Sequence, residues 1–162
     1  MRDQNYGMQG LRVAVSEFVY KRRVQYRETD ASGLAHFTAF FAYAEEAEHA
    51  MWRAAGLSVE PDETAIGWPR VSASFDFRRP LRFEDDVEVR LRVIGKSAKT
   101  LTYQAVIVRE GEIAAVGQHT SICVRRRPGE PIKAIDIPAD IAARFEVAAT
   151  PPESAKSLIP NP

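Results

Sequence analysis

The stretch Arg27 to Phe40, RETDASGLAHFTAF, is where the periodicity of the chain changes. Before it, EFVYKRRVQYRE sets Phe18, Tyr20, Val24 and Tyr26 at alternating positions with Arg22 as the one polar break, which predicts a first strand. After it, Phe37, Phe40, Phe41, Ala44, Ala47, Met51 and Ala55 fall on one helical face, and Glu45, Glu46, His49 and Arg53 fall mostly on the other. Gly56 is placed to end that helix. The stretch is therefore a polar, glycine-containing turn that aims Asp30 at the start of the only long helix. A carboxylate there is either a turn residue held by its own local hydrogen bonds or the reactive group of a site.

After a loop containing EPDET, everything up to RRRPGEP reads as strand. PRVSASFDFRRP alternates Val71, Ala73, Phe75 and Phe77 against polar partners, and DDVEVRLRVIG alternates Val87, Val89, Leu91 and Val93 against Glu88, Arg90 and Arg92. KTLTYQAVIVREGEIAAVGQHTSICVRR predicts two long strands turned at Glu110-Gly111-Glu112, and IPADIAARFE a short closing helix after Pro138. One strand, one long helix and then four strands on short turns give an α+β layout, an antiparallel sheet of five or six strands with the helix on one face. No internal repeat is visible.

At 162 residues and 45% hydrophobic content, the chain is expected to form one domain over 1–162. Its core is expected at about 17–146, between loosely held N- and C-terminal tails. The formal net charge is zero, so no global field favours nucleic acid or an anionic membrane. The single cysteine, Cys123, excludes an intramolecular disulfide and fits a reducing compartment, so the cytoplasm is the expected location. No apolar run reaches the length of about 20 residues that a membrane-spanning helix needs, and the N-terminus carries no signal-peptide core.

A strand ending in Y-R-E-T-D-A-S-G-L-A-H-F, an aromatic-rich helix with EEAEH and then only strands resemble the hotdog-fold acyl-CoA thioesterases of the 4-hydroxybenzoyl-CoA thioesterase family. The resemblance spans roughly Val19 to Phe145, and its most specific part is T-D-x-x-G, Thr29 to Gly33. It implies a hotdog fold, two chains paired with active sites at their boundary, no metal or organic cofactor, and hydrolysis of an acyl-CoA or carrier-protein thioester. It also implies Asp30 as the catalytic carboxylate, acting as nucleophile or general base, and the backbone N–H at or next to Phe37 as the donor to the thioester carbonyl. That donor makes physical sense, because the first turn of a helix has N–H groups without intrahelical partners and a partial positive charge. The chain departs from several relatives at Ala31, where they carry Pro, and at His36, where they carry an aromatic residue.

Other residues divide between bland and functional readings. His36 is either a polar side chain at the helix start or a substrate-facing group, while Gly33 lets the chain turn tightly beside substrate. Phe40 and its aromatic neighbours suit an acyl pocket, although aromatics on an apolar helix are first of all core. Glu45 and His49, or Glu46 and His49, have a spacing that can present two metal ligands, but no third ligand is signalled. Glu45 alternatively points into the substrate cavity, and His119 reads as an in-register strand residue. For coenzyme A phosphates the candidates are Lys96 and Lys99, with Arg78, Arg79 and Arg82, and Arg125 to Arg127, as rival clusters.

Two rival functions stand beside hydrolysis. Hydration of an enoyl thioester would need an Asp and His pair in another strand and helix context, and a noncatalytic acyl-thioester-binding module would need no reactive carboxylate. The second face of TYQAVIVREGEIAAVGQ is apolar enough to want a cover, so a homodimer or a homotetramer is expected.

Overall fold

A computed structural model describes residues 13–61 and 65–153. Strand β1 (Glu17–Arg23) runs into a 3-10 turn (Tyr26–Glu28) and then helix α1 (Phe37–Ala54). Strands β2 (Ile66–Gly67), β3 (Arg70–Phe77), β4 (Asp86–Lys96), β5 (Thr100–Arg109), β6 (Glu112–Ile122), β7 (Val124–Arg125) and β8 (Lys133–Ala134) follow, and α2 (Ala139–Ala142) is the short closing helix. The main sheet has the order β1-β4-β5-β6-β3, antiparallel throughout. The five long strands are the five expected from alternation. The two-residue strands β2, β7 and β8 form a separate small sheet, too short for any alternation to be read.

Alternation decides which face is dry. Val87, Val89, Leu91 and Val93 of β4 and Leu101, Tyr103, Ala105 and Ile107 of β5 are buried toward α1, which lays Tyr43, Ala47, Met51 and Trp52 on them. Each such large apolar side chain contributes roughly 1.5–3 kcal/mol when fully removed from water. Ala39, Ala44, Ala47 and Ala50 keep the helix close to the sheet. Gly117 serves the same closeness from β6: a Cβ there would come within 2.4 Å of the Phe75 ring. At the far end Trp52 packs against Trp68 and Phe145, with ring centroids at 4.8 and 4.9 Å, and donates its indole N–H to the Tyr103 hydroxyl at 3.0 Å. The β5–β6 turn has positive φ at both Glu110 and Gly111, 50° and 78°, as a tight two-residue hairpin requires.

Four expectations change. Tyr26 is not part of the first strand but sits exposed in the 3-10 turn. Phe37 is 57% exposed although it falls on the apolar helical face: it is the first residue of the helix and is not among the residues the helix buries. The second face of β5–β6 is already covered within one chain: Val106, Val108 and Val116 are buried together, and Gln104 exchanges two hydrogen bonds with the Glu153 backbone, at 2.9 and 2.7 Å. Arg92 also donates to the Pro151 carbonyl at 2.8 Å, so Pro151 and Glu153 are docked and not loose. On the N-terminal side Val15 bridges Phe145 and donates to the Arg144 carbonyl at 2.8 Å, and the Ser16 carbonyl accepts from the Val93 N–H at 2.9 Å, so this part of the expected tail is held too. Residues 1–12 and 154–162 lie outside the described residues.

Candidate active site

The turn after the 3-10 segment is tied at each end. Thr29 bridges Ala35, the Asp30 N–H donates to the Leu34 carbonyl at 2.9 Å, and the Gly33 N–H donates to the Asp30 carbonyl at 3.0 Å. Gly33 holds φ +76° with nothing near where a Cβ would stand, so glycine is needed here for backbone conformation and not for space. The Asp30 Oδ1 accepts from the Ser32 N–H at 2.8 Å and from the Ser32 hydroxyl. Those two bonds, the hydroxyl first, hold the Asp30 carboxyl below its ordinary range, so it is ionised at neutral pH.

Helix α1 starts beside that carboxylate. His36 is its N-cap: Nδ1 accepts from the Thr38 N–H at 3.3 Å and lies 2.7 Å from the Thr38 hydroxyl. The Ala39 N–H donates to the His36 carbonyl and the His36 N–H to the Glu28 carbonyl. The Phe37 N–H meets no acceptor among the described residues. An open cavity of about 390 Å³ joins Asp30 to Phe37, Phe40 and Phe77, with Leu34 and Leu81 in its wall and Arg78 and Arg79 at its side. Phe40 packs edge-on against Phe77 at 5.0 Å, giving one dry wall. A free N–H at a positive helix end, an ionised carboxylate and an apolar wall together suit a polarised carbonyl on a largely apolar acyl group.

Asp30, Phe37 and Phe40 thus line one cavity, and Gly33 shapes the turn between Asp30 and Phe37. His36 is spent on capping and is not in the cavity wall. Glu45 lines a different cavity of about 170 Å³, between α1 and β3–β6, and its carboxylate pairs with Arg70 at 3.4 Å. Glu46 is bound to Arg22. Lys96 closes β4, donating to the Ala142 and Phe145 carbonyls at 2.5 and 2.9 Å, and Lys99 pairs with Asp136 at 2.5 Å. Lys96 aligns through Leu101 and Ser121 with Arg70, the opposite end of β3 from Phe77, about 23 Å away at strand rise.

Sequence reasoning missed a buried ionic cluster. Glu48, fully buried on α1, receives Arg70 at 2.6 Å and His119 at 2.8 Å, and Ser121 donates to its other oxygen at 3.4 Å. His119 is in register on β6 as expected, but its ring faces this acid and stacks on Tyr103 at 5.0 Å. The signal was present: Glu48 stands four residues after Ala44, on the buried stripe. Another cavity, of about 810 Å³, lies on the outer face of β1 and β4, where Lys21, Arg23 and Arg90 are each paired with Asp86 or Glu88.

The thioesterase-like superfamily profile matches residues 24–145, which contain every element of this cavity. A 1,4-dihydroxy-2-naphthoyl-CoA hydrolase from Nostoc punctiforme is 28% identical over 109 residues, covering 65% of this chain and 74% of that one. A hypothetical protein of known structure from Aquifex aeolicus is 27% identical with a TM-score of 0.74, covering 80% of this chain and 99% of that one. A gentisyl-coenzyme A thioesterase structure is 25% identical with a TM-score of 0.71, covering 79% of this chain and 99% of that one. With one long helix on a five-stranded antiparallel sheet, the chain belongs to the thioesterase-like superfamily and is a hotdog-fold thioester hydrolase.

Proposed function

We propose that the chain hydrolyses an acyl-CoA thioester to the free acid and coenzyme A, with Asp30 as the catalytic carboxylate and the Phe37 N–H as the donor to the thioester oxygen. One observation carries this reading: an ionised carboxylate, Asp30, and the first residue of the helix, Phe37, whose N–H meets no acceptor among the described residues, line the same apolar-walled cavity. As the carbonyl carbon turns tetrahedral, negative charge gathers on its oxygen, where a fixed N–H and the helix end stabilise it. Asp30 either takes a proton from the attacking water or attacks the carbonyl itself, giving an anhydride that water then opens; in both routes the carbon–sulfur bond breaks and the thiolate leaves. The ionised state favoured by Ser32 serves both routes. Solvent ¹⁸O appearing in Asp30 after single turnover marks the second.

The acyl group lies along Phe40 and Phe77, and Gly33 supplies the turn that sets Asp30 at the cavity. Phosphate contact falls first to Arg78 and Arg79, which flank the cavity, ahead of Lys96 and Lys99. Glu45 would reach substrate only through its own separate cavity. A homodimer completes the proposal, because the eight-residue strand β3 has no partner on its outer side among the described residues and exposes Val71 and Phe77. Thiol release from a panel of aryl and alkyl acyl-CoAs tests the activity, and sedimentation at micromolar concentration tests the dimer. No release from any of them would refute hydrolysis, and a monomer would refute the assembly.

A further inference from the structure

Alternation along β1 gives Arg22 to the face that packs on α1, where an apolar side chain is expected, and only 8% of the side chain is exposed. The guanidinium lies 3.9 Å over the Tyr43 ring. One amino group donates to both oxygens of Glu46 at 2.7 Å, and the other donates to Glu28 Oε1 at 2.5 Å. The second Glu28 oxygen accepts from the Tyr43 hydroxyl and from the Gln25 N–H, each at 2.8 Å. Burial pushes the Tyr43 phenol well above its ordinary pKa, which keeps it a donor.

These contacts form one path from α1 through Arg22 to Glu28, and Glu28 stands at the entrance of the catalytic turn. Its carbonyl accepts the N–H of His36, the cap of α1, at 2.8 Å. Segment 28–36, which carries Asp30, is therefore closed at its base by a residue that Arg22 and Tyr43 hold to the helix. Arg22, Glu28, Tyr43 and Glu46 do not line the cavity, and both Glu28 oxygens are engaged. Well-packed apolar residues often stabilise a protein as much as a buried ion pair does, so stability alone does not call for an arginine here. A planar fork that can bond two carboxylates at once fixes their spacing, which a lysine point charge cannot do.

We propose that Arg22 is a positioning residue for the thioester hydrolysis: by holding Glu28 to Tyr43 and Glu46, it sets the separation between the Asp30 carboxylate and the Phe37 N–H. This rests on the proposed function, in which those two groups act on one carbonyl. Displacements of about 1 Å at a reacting pair can cost about 10² in rate, so Arg22→Met should lower kcat by about 10- to 100-fold with KM within about threefold of the parent. Arg22→Lys should fall between the two.

A double-mutant cycle with Asp30→Asn tests it. If Arg22 acts through Asp30, adding Arg22→Met to Asp30→Asn costs little further rate; multiplicative losses would overturn the proposal. Should Arg22→Met not fold, Tyr43→Phe removes a single bond to Glu28 and carries the same cycle, with an expected kcat loss of about 3- to 10-fold under the same reasoning. Full kcat in folded Arg22→Met, beside an inactive Asp30→Asn, would overturn the positioning role and leave the proposed function standing. An active Asp30→Asn would overturn both.

Discussion

Replacing Glu48 by alanine should destabilise the fold far more than it changes chemistry. Glu48 is fully buried, and the substitution strands His119, 5% exposed, whose ring nitrogen lies 2.8 Å from the carboxylate. A buried hydrogen bond to a charged group is worth roughly 1.5–3 kcal/mol. The Arg70 contact at 2.6 Å adds less, because the Arg70 side chain is 29% exposed and can turn to water, so about 0.5–1 kcal/mol is the fair figure. The expected total is about 3 kcal/mol, near the lower end of the usual cost of breaking a buried pair. For a chain of 162 residues this corresponds to a fall in Tm of about 6–12 °C. Thermal unfolding followed by circular dichroism reads the shift, and thiol release well below the variant's Tm reads the chemistry. A Tm within 2 °C of the parent would refute the accounting, as would a kcat loss above tenfold in folded protein, since Glu48 is not in the Asp30 cavity.

Other outcomes follow from the same contacts. Burial alone raises the Glu28 carboxyl pKa, but the bonds from Gln25, Tyr43 and Arg22 outweigh it and the net shift is downward. Its contribution to stability should therefore be complete above the unfolded value of about 4.3 and lost as pH falls through the lower folded value, so Glu28→Gln should flatten the acid limb of a Tm–pH curve. An unchanged limb would show that Glu28 is not responsible. Gly33→Ala should cost about 1 kcal/mol through backbone strain and lower kcat with little change in KM; a neutral outcome would show that the turn relaxes freely. Arg79→Ala should raise KM for coenzyme A thioesters, with an effect that shrinks in salt, because its partner Glu112 is exposed and exchangeable. Lys96→Ala should lower Tm with KM unchanged, since its ammonium is held by the Ala142 and Phe145 carbonyls at the end of α2 and just after it; the reverse pattern would return the phosphate site to Lys96 and Lys99.

The fold was legible because periods of two and 3.6 residues are properties of local sequence. The change of period at residues 27–40 located the junction, and five alternating runs gave the five long strands. Asp30, Gly33 and Phe37 were legible as parts of that junction. Three kinds of information were not. Phe37 and Tyr26 are apolar yet exposed, because the period does not say which apolar residues the fold covers. The engagement of Lys96 and Lys99 depends on residues about forty positions away. Arg22 and Glu48 were visible as charges on dry faces, but what neutralises them comes from other elements, so their partners emerge only when α1 meets the sheet.

The most direct measurement is the turnover of Asp30→Asn on the best acyl-CoA substrate, with folding and assembly matched to the parent. Asparagine keeps the size of the side chain and can still accept from Ser32 through its carbonyl oxygen, so the turn and substrate binding should survive. A lost general base or nucleophile removes a factor of about 10² to 10⁴, roughly 3–5 kcal/mol of barrier, and the loss should fall on kcat with KM nearly unchanged. Hydrolysis by Asp30→Asn within a few fold of the parent would make Asp30 a turn residue only and contradict the proposed mechanism.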